Sequence, residues 1–287
     1  MAANSTSSAE VLKVERVGAF TLVTFNQPKI RNPLGPEIVA ELSEALAGAE
    51  ADLDVRAIAI RGAGPVFSAG GNLGNFEERI TMPRNADGTD PIAESNRRFG
   101  AFLEKLVRFP KPIVVAAHGA AMGGGAGLVC AADIAIASLD TKFSFTETSL
   151  GLIPAQILPF VIARIGRQKA KRLMITAHKF DAREAFELGM VDFVASDMDA
   201  LRDMLADVLD KIGRCAPGAV SRTKRLTMNS ATGEVDSTDG LRRLLDVAAE
   251  DFAAQMRTEG AEGIRAAKAK RDPDWRVTFD RRALKDW

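Results

Sequence analysis

Three consecutive glycines, Gly123 to Gly125, separate two apolar runs in the segment HGAAMGGGAGLVCAADIAIA. The apolar run at 113–119 predicts a buried strand, and the run at 133–138 predicts another. Glycines at a strand-to-helix junction let the backbone adopt positive φ angles and approach a neighbouring group closely. The first turn of the helix that follows presents N–H groups without helical partners and the positive end of the helix dipole. The junction therefore predicts either a site for an anion or a developing oxyanion, or a place of close helix packing.

A dinucleotide-binding loop fits this junction poorly. Leu128 stands where such a loop needs glycine or alanine, and the junction lies mid-chain rather than in a first βαβ unit. A second glycine turn, Gly70–Gly71 in GPVFSAGGNLGNF, follows the predicted strand 55–62 in a similar manner. Two such sources of N–H groups can converge on one oxygen, which is the arrangement of an oxyanion hole.

Strand and helix patterns alternate along the first two thirds of the chain. They predict an α/β core at 11–195 after a disordered tail at 1–10. The region 196–275 is mainly helical, and an extension follows it at 276–287. The predicted helix 239–257 has a broad apolar face that must be buried on the core or on another subunit. Helices are predicted in this region at 198–213, 217–229, 239–257 and 260–271.

The charge balance argues against a polyanionic partner. Lys and Arg together number 38, as do Asp and Glu, so nothing favours binding to nucleic acid or to a membrane surface. The two cysteines, Cys130 and Cys215, lie far apart, and no metal-ligand spacing occurs. The sequence MAANSTSSAE lacks the apolar core of a signal peptide, and no apolar run reaches the about 18 residues of a membrane span. We therefore expect a cytoplasmic protein that acts on a small molecule and needs no metal.

Four motifs lie in order along the chain: NQPKIRNPL at 26–34, FSAGGNL at 67–73, the glycine triplet, and a segment at 262–275 that ends in a Pro-x-Trp sequence. In this order they resemble the enoyl-CoA hydratase/isomerase (crotonase) superfamily, nearest to bacterial methylglutaconyl-CoA and isohexenylglutaconyl-CoA hydratases. The resemblance covers residues 11–275. It implies a crotonase-like ββα superhelix core, C-terminal helices that build a homotrimer or homohexamer, an acyl-CoA thioester as substrate, and no cofactor beyond the CoA that the substrate carries.

The resemblance also implies roles for individual residues. The backbone N–H groups of Gly71 and Gly124 would bind the thioester oxygen, and Glu147 would be the catalytic acid/base. Six residues would contact CoA, with the last acting on the same or a neighbouring subunit: Lys29, Ile30, Arg31, Ala69, Leu73 and Lys270. By charge alone, the basic residues among these six can equally be solvated side chains.

The residue at position 127 differs from that of most hydratases of the family. Those hydratases typically use two glutamates, and Gly127 stands where the resemblance places the first, so that Glu147 remains alone. Apolar neighbours of Glu147 predict partial burial, which would raise the pKa of its carboxyl toward that of a useful base. Moving a double bond needs a single base, whereas hydration also needs a water placed against C3. The sequence leaves both reactions open at this point.

The segment ETSLGLIPAQILPF, at 147–160, resembles the branched-acyl hydratases and favours hydration. We therefore predict an enoyl-CoA hydratase for a branched or unusual acyl group. An enoyl-CoA isomerase is the first alternative, and a non-catalytic acyl-CoA-binding protein is the second. Arg164 and Arg167 are candidate contacts for a carboxylate on the acyl group, and a surface charge is the simpler interpretation of both.

Overall fold

The computed structural model of the protein describes residues 10–71, 80–230 and 237–285. Its framework consists of two β-sheets. The strands in chain order are β1 (Leu12–Val17), β2 (Phe20–Phe25), β3 (Ala57–Gly62), β4 (Ile113–Ala117), β5 (Ala120–Met122), β6 (Ile134–Ser138), β7 (Lys142–Ser144), β8 (Phe180–Asp181) and β9 (Phe193–Ala195). The larger sheet has the order β1-β2-β3-β4-β6-β9, and the smaller one has the order β5-β7-β8.

Helices connect the strands and cover the larger sheet. The α-helices are α1 (Pro36–Ala51), α2 (Pro91–Arg108), α3 (Gly124–Ala131), α4 (Leu158–Ile165), α5 (Arg167–Thr176), α6 (Ala182–Leu188), α7 (Met198–Gly213), α8 (Pro217–Ser230), α9 (Thr238–Arg257) and α10 (Glu259–Ala269). Within the described ranges, short 3₁₀ helices span Pro28–Ile30, Glu147–Leu150 and Arg281–Leu284. From β2 to β9 the neighbouring strands of the larger sheet are parallel, and only the edge strand β1 pairs antiparallel. The predicted α/β class is confirmed.

Both faces of the larger sheet are buried, as expected for a mostly parallel sheet. One face packs against α1, α2 and α3 around fully buried side chains such as Phe25 and Phe67. The other face packs against α7, which buries Leu201, Leu205 and Leu209. Among the described residues, no helix is long and apolar enough to cross a membrane.

The packing of α7 refines the predicted division of the chain. Although α7 lies beyond residue 195, it belongs to the core because it covers one face of the larger sheet. The C-terminal extension packs on α7 as well: Phe279 and Leu284 are buried, and the backbone N–H of Phe279 donates to Asp210 Oδ1 at 2.7 Å. The oligomerisation role that we expect for 196–275 therefore stays a prediction for α8, α9 and α10.

The smaller sheet extends the larger one toward a shared edge. β4 continues through His118 and Gly119 into β5, and β6 continues through 139–141 into β7. β5 and β7 pair in parallel, with Met122 opposite Ser144. Because the carboxyl ends of parallel strands meet at one edge, the segments that follow β5 and β7 become neighbours. These two segments carry the glycine triplet and Glu147.

Candidate active site

The glycine triplet forms the start of α3. Gly123 is the N-cap residue, with φ 48° and ψ −117°, and its N–H donates to the carbonyl of Ser144 at 2.8 Å. This positive φ is a conformation that side chains other than glycine rarely adopt. Gly124 is the first residue of α3, so its N–H has no acceptor within the helix. The junction thus has the backbone geometry of an N–H donor site at a helix N-terminus.

The second glycine turn lies directly against this junction. Gly70 has φ +88°, and a Cβ atom at this position would lie 2.6 Å from the carbonyl oxygen of Met122 and 3.6 Å from Gly123 Cα. Only glycine fits between the two backbones. The structure therefore brings Gly71, which is exposed, and Gly124 to the same region. Leu73 lies outside the described residues.

A buried serine fixes the second turn. The backbone of Ser68 pairs with β5, because its N–H donates to Ala120 and its carbonyl accepts from Met122, both at 3.0 Å. Its hydroxyl donates to the carbonyl of Asn32 at 2.7 Å and accepts the N–H of Gly70 at 3.1 Å. Ser68 thus ties three segments together at the base of the turn. Sequence reasoning assigned it no role.

Asn32 is a second buried polar anchor. Its Oδ1 accepts the N–H of Gln27 at 2.9 Å, and its Nδ2 donates to the carbonyls of Ala63 at 2.8 Å and Val66 at 2.9 Å. The side chain is fully buried and the residue has φ 51°. Asn32 therefore joins the segment 26–34 to the connection after β3, a role that sequence reasoning also missed although the residue lies in a recognised motif.

Four of the six residues predicted to contact CoA lie together. Lys29 and Ile30 are exposed on the first 3₁₀ helix, and Arg31 follows them in a left-handed conformation with φ 64°. The carbonyl of Arg31 accepts the N–H of Ala69 at 2.8 Å, which places these residues beside the Gly70–Gly71 turn. The arrangement can present cations and an apolar side chain to a ligand that extends from the turn.

Lys270 is not joined to this group within the protomer. It is exposed at the C-terminus of α10, and in the part of the chain that the structure describes no hydrogen bond or ion pair links it to 29–31. The chain that follows it reaches Trp275, whose carbonyl accepts from Arg56 at 3.1 Å. Arg56 precedes β3, whereas Ala69 follows it, so this segment docks at the opposite end of the strand. A contact of Lys270 with CoA on a neighbouring subunit stays a prediction.

Glu147 lies where the two glycine segments meet. It begins the second 3₁₀ helix, and its Oε1 is 3.0 Å from the position that a Cβ atom on Gly123 would take. Its Oε2 is buried and has no hydrogen-bond partner among the described residues. Burial raises the pKa of the Glu147 carboxyl, and a hydrogen bond from its own backbone N–H opposes this in part. Such a carboxyl exchanges protons closer to neutral pH than an exposed glutamate does.

One turn further along α3, the space beside Gly127 is filled. A Cβ atom on Gly127 would lie 2.3 Å from Ile157 Cγ2 and 2.7 Å from Ile157 Cβ. The preceding residue, Gln156, sits against Gly100 of α2 in the same way, with its Oε1 1.8 Å from the corresponding position. Gln156 and Ile157 thus each pack against a glycine, the first on α2 and the second on α3. A carboxylate side chain at position 127 has no room while Ile157 is present.

An aromatic ring forms a wall of the site. A Cβ atom on Gly124 would lie 3.2 Å from Phe99 Cζ and 3.8 Å from Leu34 Cδ1. The segment between the second 3₁₀ helix and α4 adds exposed apolar side chains, with Leu152 at 43% and Ile153 at 77% of full exposure. The surroundings of Gly124 are therefore suited to an apolar chain.

Arg164 does not serve this site. Its guanidinium pairs with Asp192 at 2.6 Å and donates to the carbonyl of Met190 at 3.1 Å, and its side chain is largely buried. Arg164 therefore forms a structural ion pair and is not the surface charge that we favoured. Its guanidinium donates to groups within the protein.

Known proteins are similar in sequence and in structure to this chain, which carries the two glycine turns and the half-buried Glu147. The enoyl-CoA hydratase/isomerase family model matches residues 15–278. This chain belongs to that family. The crystal structure of a family member from Marinobacter aquaeolei, described as an enoyl-CoA hydratase/isomerase, superposes with a TM-score of 0.86 at 41% identity, over 93% of this chain and 99% of that one. Pseudomonas aeruginosa AtuE gives the same TM-score and identity, over 93% and 100% of the two chains.

Relatives within the family include proteins named as hydratases and proteins named as isomerases. A putative enoyl-CoA hydratase from Thermus thermophilus is 35% identical over 92% of this chain and 99% of its own length. A 1,2-epoxyphenylacetyl-CoA isomerase from Escherichia coli is 31% identical over 90% and 95%. Membership therefore establishes a hydratase/isomerase of the crotonase family and leaves the reaction to be argued from the site.

Proposed function

We propose that the protein is an enoyl-CoA hydratase that adds water across the 2,3 double bond of an acyl-CoA. In this proposal Glu147 is the acid/base, and the N–H groups of Gly71 and Gly124 hold the thioester oxygen. The observation that carries it is the half-buried Glu147 carboxyl, with its raised pKa, against Gly123 at the N-terminus of α3.

The chemistry follows from the charge that develops during addition. When water attacks C3, the electron pair of the double bond moves toward the thioester oxygen and forms an enolate. Backbone N–H donors that are fixed before the reaction stabilise such an oxyanion, and one donor typically accounts for about 10²–10³ in rate. The Glu147 carboxylate takes a proton from the water and returns a proton to C2. No metal is required for these steps, and CoA enters as part of the substrate.

An isomerase is the second candidate, because one observation favours it. Ile157 fills the space beside Gly127, so among the residues that the structure describes Glu147 is the one glutamate at the glycine junction, where the resemblance implies a pair. One carboxylate is sufficient to take a proton from C2 or C4 and to return it elsewhere. Hydration is preferred because relatives named as hydratases include the Thermus protein and a probable enoyl-CoA hydratase from Bacillus subtilis, 32% identical over 89% of this chain.

The acyl group is proposed to be branched or otherwise unusual. Gln156 and Ile157 are held in fixed positions by Gly100 and Gly127, and they bring bulk to the segment beside the presumed acyl chain. We also propose a cytoplasmic homotrimer or homohexamer. Support for the oligomer comes from the apolar side chains of α9 that the protomer leaves between 43% and 68% exposed: Leu241, Leu245, Val247, Phe252 and Met256.

The reaction can be assigned with two substrates and two variants. We expect the wild-type protein to abolish the ultraviolet absorbance of a conjugated 2-enoyl-CoA, and Glu147→Gln to lower this rate by about 10²–10⁴. Glu44→Gln is the matched control, because Glu44 is an exposed residue of α1 and the chemical change is identical.

The outcomes separate the candidates. Conversion of a 3-enoyl-CoA to the conjugated isomer, without loss of the 2-enoyl substrate, would identify an isomerase. Binding of both substrates without turnover would identify a non-catalytic family member. A Glu147→Gln variant as active as Glu44→Gln would overturn the role of Glu147.

A further inference from the structure

Two side-chain oxygens converge on one point above Gly123. Glu147 Oε1 lies 3.0 Å, and Thr146 Oγ1 lies 3.6 Å, from the position that a Cβ atom on Gly123 would occupy. Because residue 123 is glycine, both oxygens can approach its backbone closely. The hydroxyl of Thr146 thus faces the same small space as the carboxyl of Glu147, at the N-terminus of α3.

The backbone of Thr146 is fixed by its neighbours. Its carbonyl accepts from the N–H of Ser149 at 3.2 Å and from the Ser149 hydroxyl at 2.7 Å. The nearby hydroxyls are used within the protein: Thr148 donates to the carbonyl of Met174 at 2.6 Å. For Thr146 Oγ1, the described residues supply no such acceptor. Its hydroxyl is therefore held in place by the turn while its own hydrogen-bonding capacity stays available.

We propose that Thr146 is a positioning residue whose hydroxyl holds the water that adds to C3. This inference rests on the proposed hydration. It explains how hydration can proceed without a glutamate at position 127. A single carboxylate can transfer the protons, but the water also needs a second contact that directs it at C3. A hydroxyl can both donate to and accept from a water, and in this proposal one water contacts both the Thr146 hydroxyl and the Glu147 carboxylate.

The step balances with the groups present. The water oxygen forms a bond to C3 while the C2–C3 π pair moves to give the enolate, and one water proton passes to the Glu147 carboxylate. The enolate then collapses, and C2 takes that proton from Glu147. One water has been added, the carboxylate is regenerated, and Thr146 has neither gained nor lost a proton.

Three variants test the role of this hydroxyl in the intact protein. Thr146→Val removes the hydroxyl at nearly constant shape, Thr146→Ser retains it, and Thr148→Val removes a hydroxyl of the same 3₁₀ helix that is turned to Met174. The measurements are kcat and KM for hydration of a 2-enoyl-CoA, and the Kd of a saturated acyl-CoA of the same chain length. We expect Thr146→Val to lower kcat by about 10- to 100-fold with Kd within about twofold of wild type, and the other two variants to keep kcat within about threefold.

Several results would overturn the proposal. They are a Thr146→Val kcat within threefold of wild type, a Thr146→Ser variant as slow as Thr146→Val, or a Kd that weakens in parallel with kcat, since each would reduce Thr146 to a packing residue. A wild-type protein that hydrates no 2-enoyl-CoA would instead refute the proposed function itself, before any variant is compared.

Discussion

Gly123 and Gly127 lie one turn apart on the same helix, yet their surroundings are opposite. At Gly123 the missing side chain lets oxygens of Glu147 and Thr146 approach the backbone, with the nearest at 3.0 Å from the Cβ position. At Gly127 the missing side chain makes room for Ile157, whose Cγ2 lies 2.3 Å from that position. One glycine lies against polar side-chain oxygens, and the other is covered by an apolar side chain.

The difference bears on position 127, where the resemblance implies a glutamate and this chain has glycine. If the side chain at position 127 were missing and nothing replaced it, a cavity or an opening would remain beside α3. Instead, the segment before α4 places Ile157 in that space, so the glycine at position 127 and the position of Ile157 depend on each other. In the proposed function, catalysis then depends on the N-terminal end of α3, beside Glu147.

The largest effect is expected when a carboxylate is forced back into the filled position. Gly127→Glu buries an unpaired charge against Ile157, and we expect it to lower the free energy of unfolding by about 3–5 kcal/mol. Combining it with Ile157→Ala should recover about 1–3 kcal/mol relative to the sum of the single variants. Urea unfolding of the four proteins measures this coupling, and additivity would show that the two positions do not compete for space.

Blocking the open end should affect activity more than stability. Gly123→Ala places a Cβ atom 3.0 Å from Glu147 Oε1 and imposes φ 48° on an alanine. Because a displacement of about 1 Å can reduce a rate about 10²-fold, we expect kcat/KM for the enoyl-CoA to fall by about that factor. Gly48→Ala, a helical glycine of α1 with open space at its Cβ position, is the control. Equal activity of Gly123→Ala and Gly48→Ala would show that a side chain at position 123 does not disturb Glu147.

The second glycine turn offers a smaller perturbation. Ser68→Ala leaves the N–H of Gly70 without its buried acceptor and the carbonyl of Asn32 without its donor. We expect a loss of about 1–3 kcal/mol of unfolding free energy, together with a lower kcat because the turn that carries Gly71 loosens. Ser68→Cys should restore part of both. A variant that loses stability but keeps full kcat would show that the serine does not position this turn for catalysis.

The smallest effect concerns pH. Burial raises the pKa of Glu147 above its value in the unfolded chain, so the folded state binds a proton more tightly. That stabilisation is present below the unfolded pKa and is lost as pH rises through the folded pKa. The glutamine in Glu147→Gln carries no charge at any pH, so the Tm of this variant relative to wild type should rise as pH increases above about 4, the ordinary pKa of glutamate. A Tm difference that stays flat or falls over this range would argue against a buried, charge-destabilised carboxyl.

Much of the fold follows from local patterns in the sequence. The predicted helix 198–213 coincides with α7, whose buried leucines recur every four residues. The helices α8 and α9 lie within one residue of the predicted bounds at each end. β1 gave no such signal, since Leu12 is the only fully buried residue of this edge strand. The three strands of the smaller sheet have only two or three residues each, and their pairing is decided by the tertiary structure.

The candidate site divides in the same way. The glycine turns and Glu147 were found because they belong to contiguous motifs. Ser68, Thr146 and the filling of position 127 by Ile157 depend on contacts between segments that lie far apart in sequence, and no local pattern indicates them. These contacts could not be predicted because the segments that form them lie far apart in the sequence.

The central claim is that the N–H groups of two distant glycine turns and one glutamate act on the same thioester. A crystal structure of the protein with a bound saturated acyl-CoA tests it most directly. We predict that the thioester oxygen lies about 2.7–3.1 Å from the backbone nitrogens of both Gly71 and Gly124, with a Glu147 carboxylate oxygen beside C2 and C3. A thioester oxygen bound elsewhere, or a Glu147 side chain separated from C2 and C3 by other residues, would contradict the account.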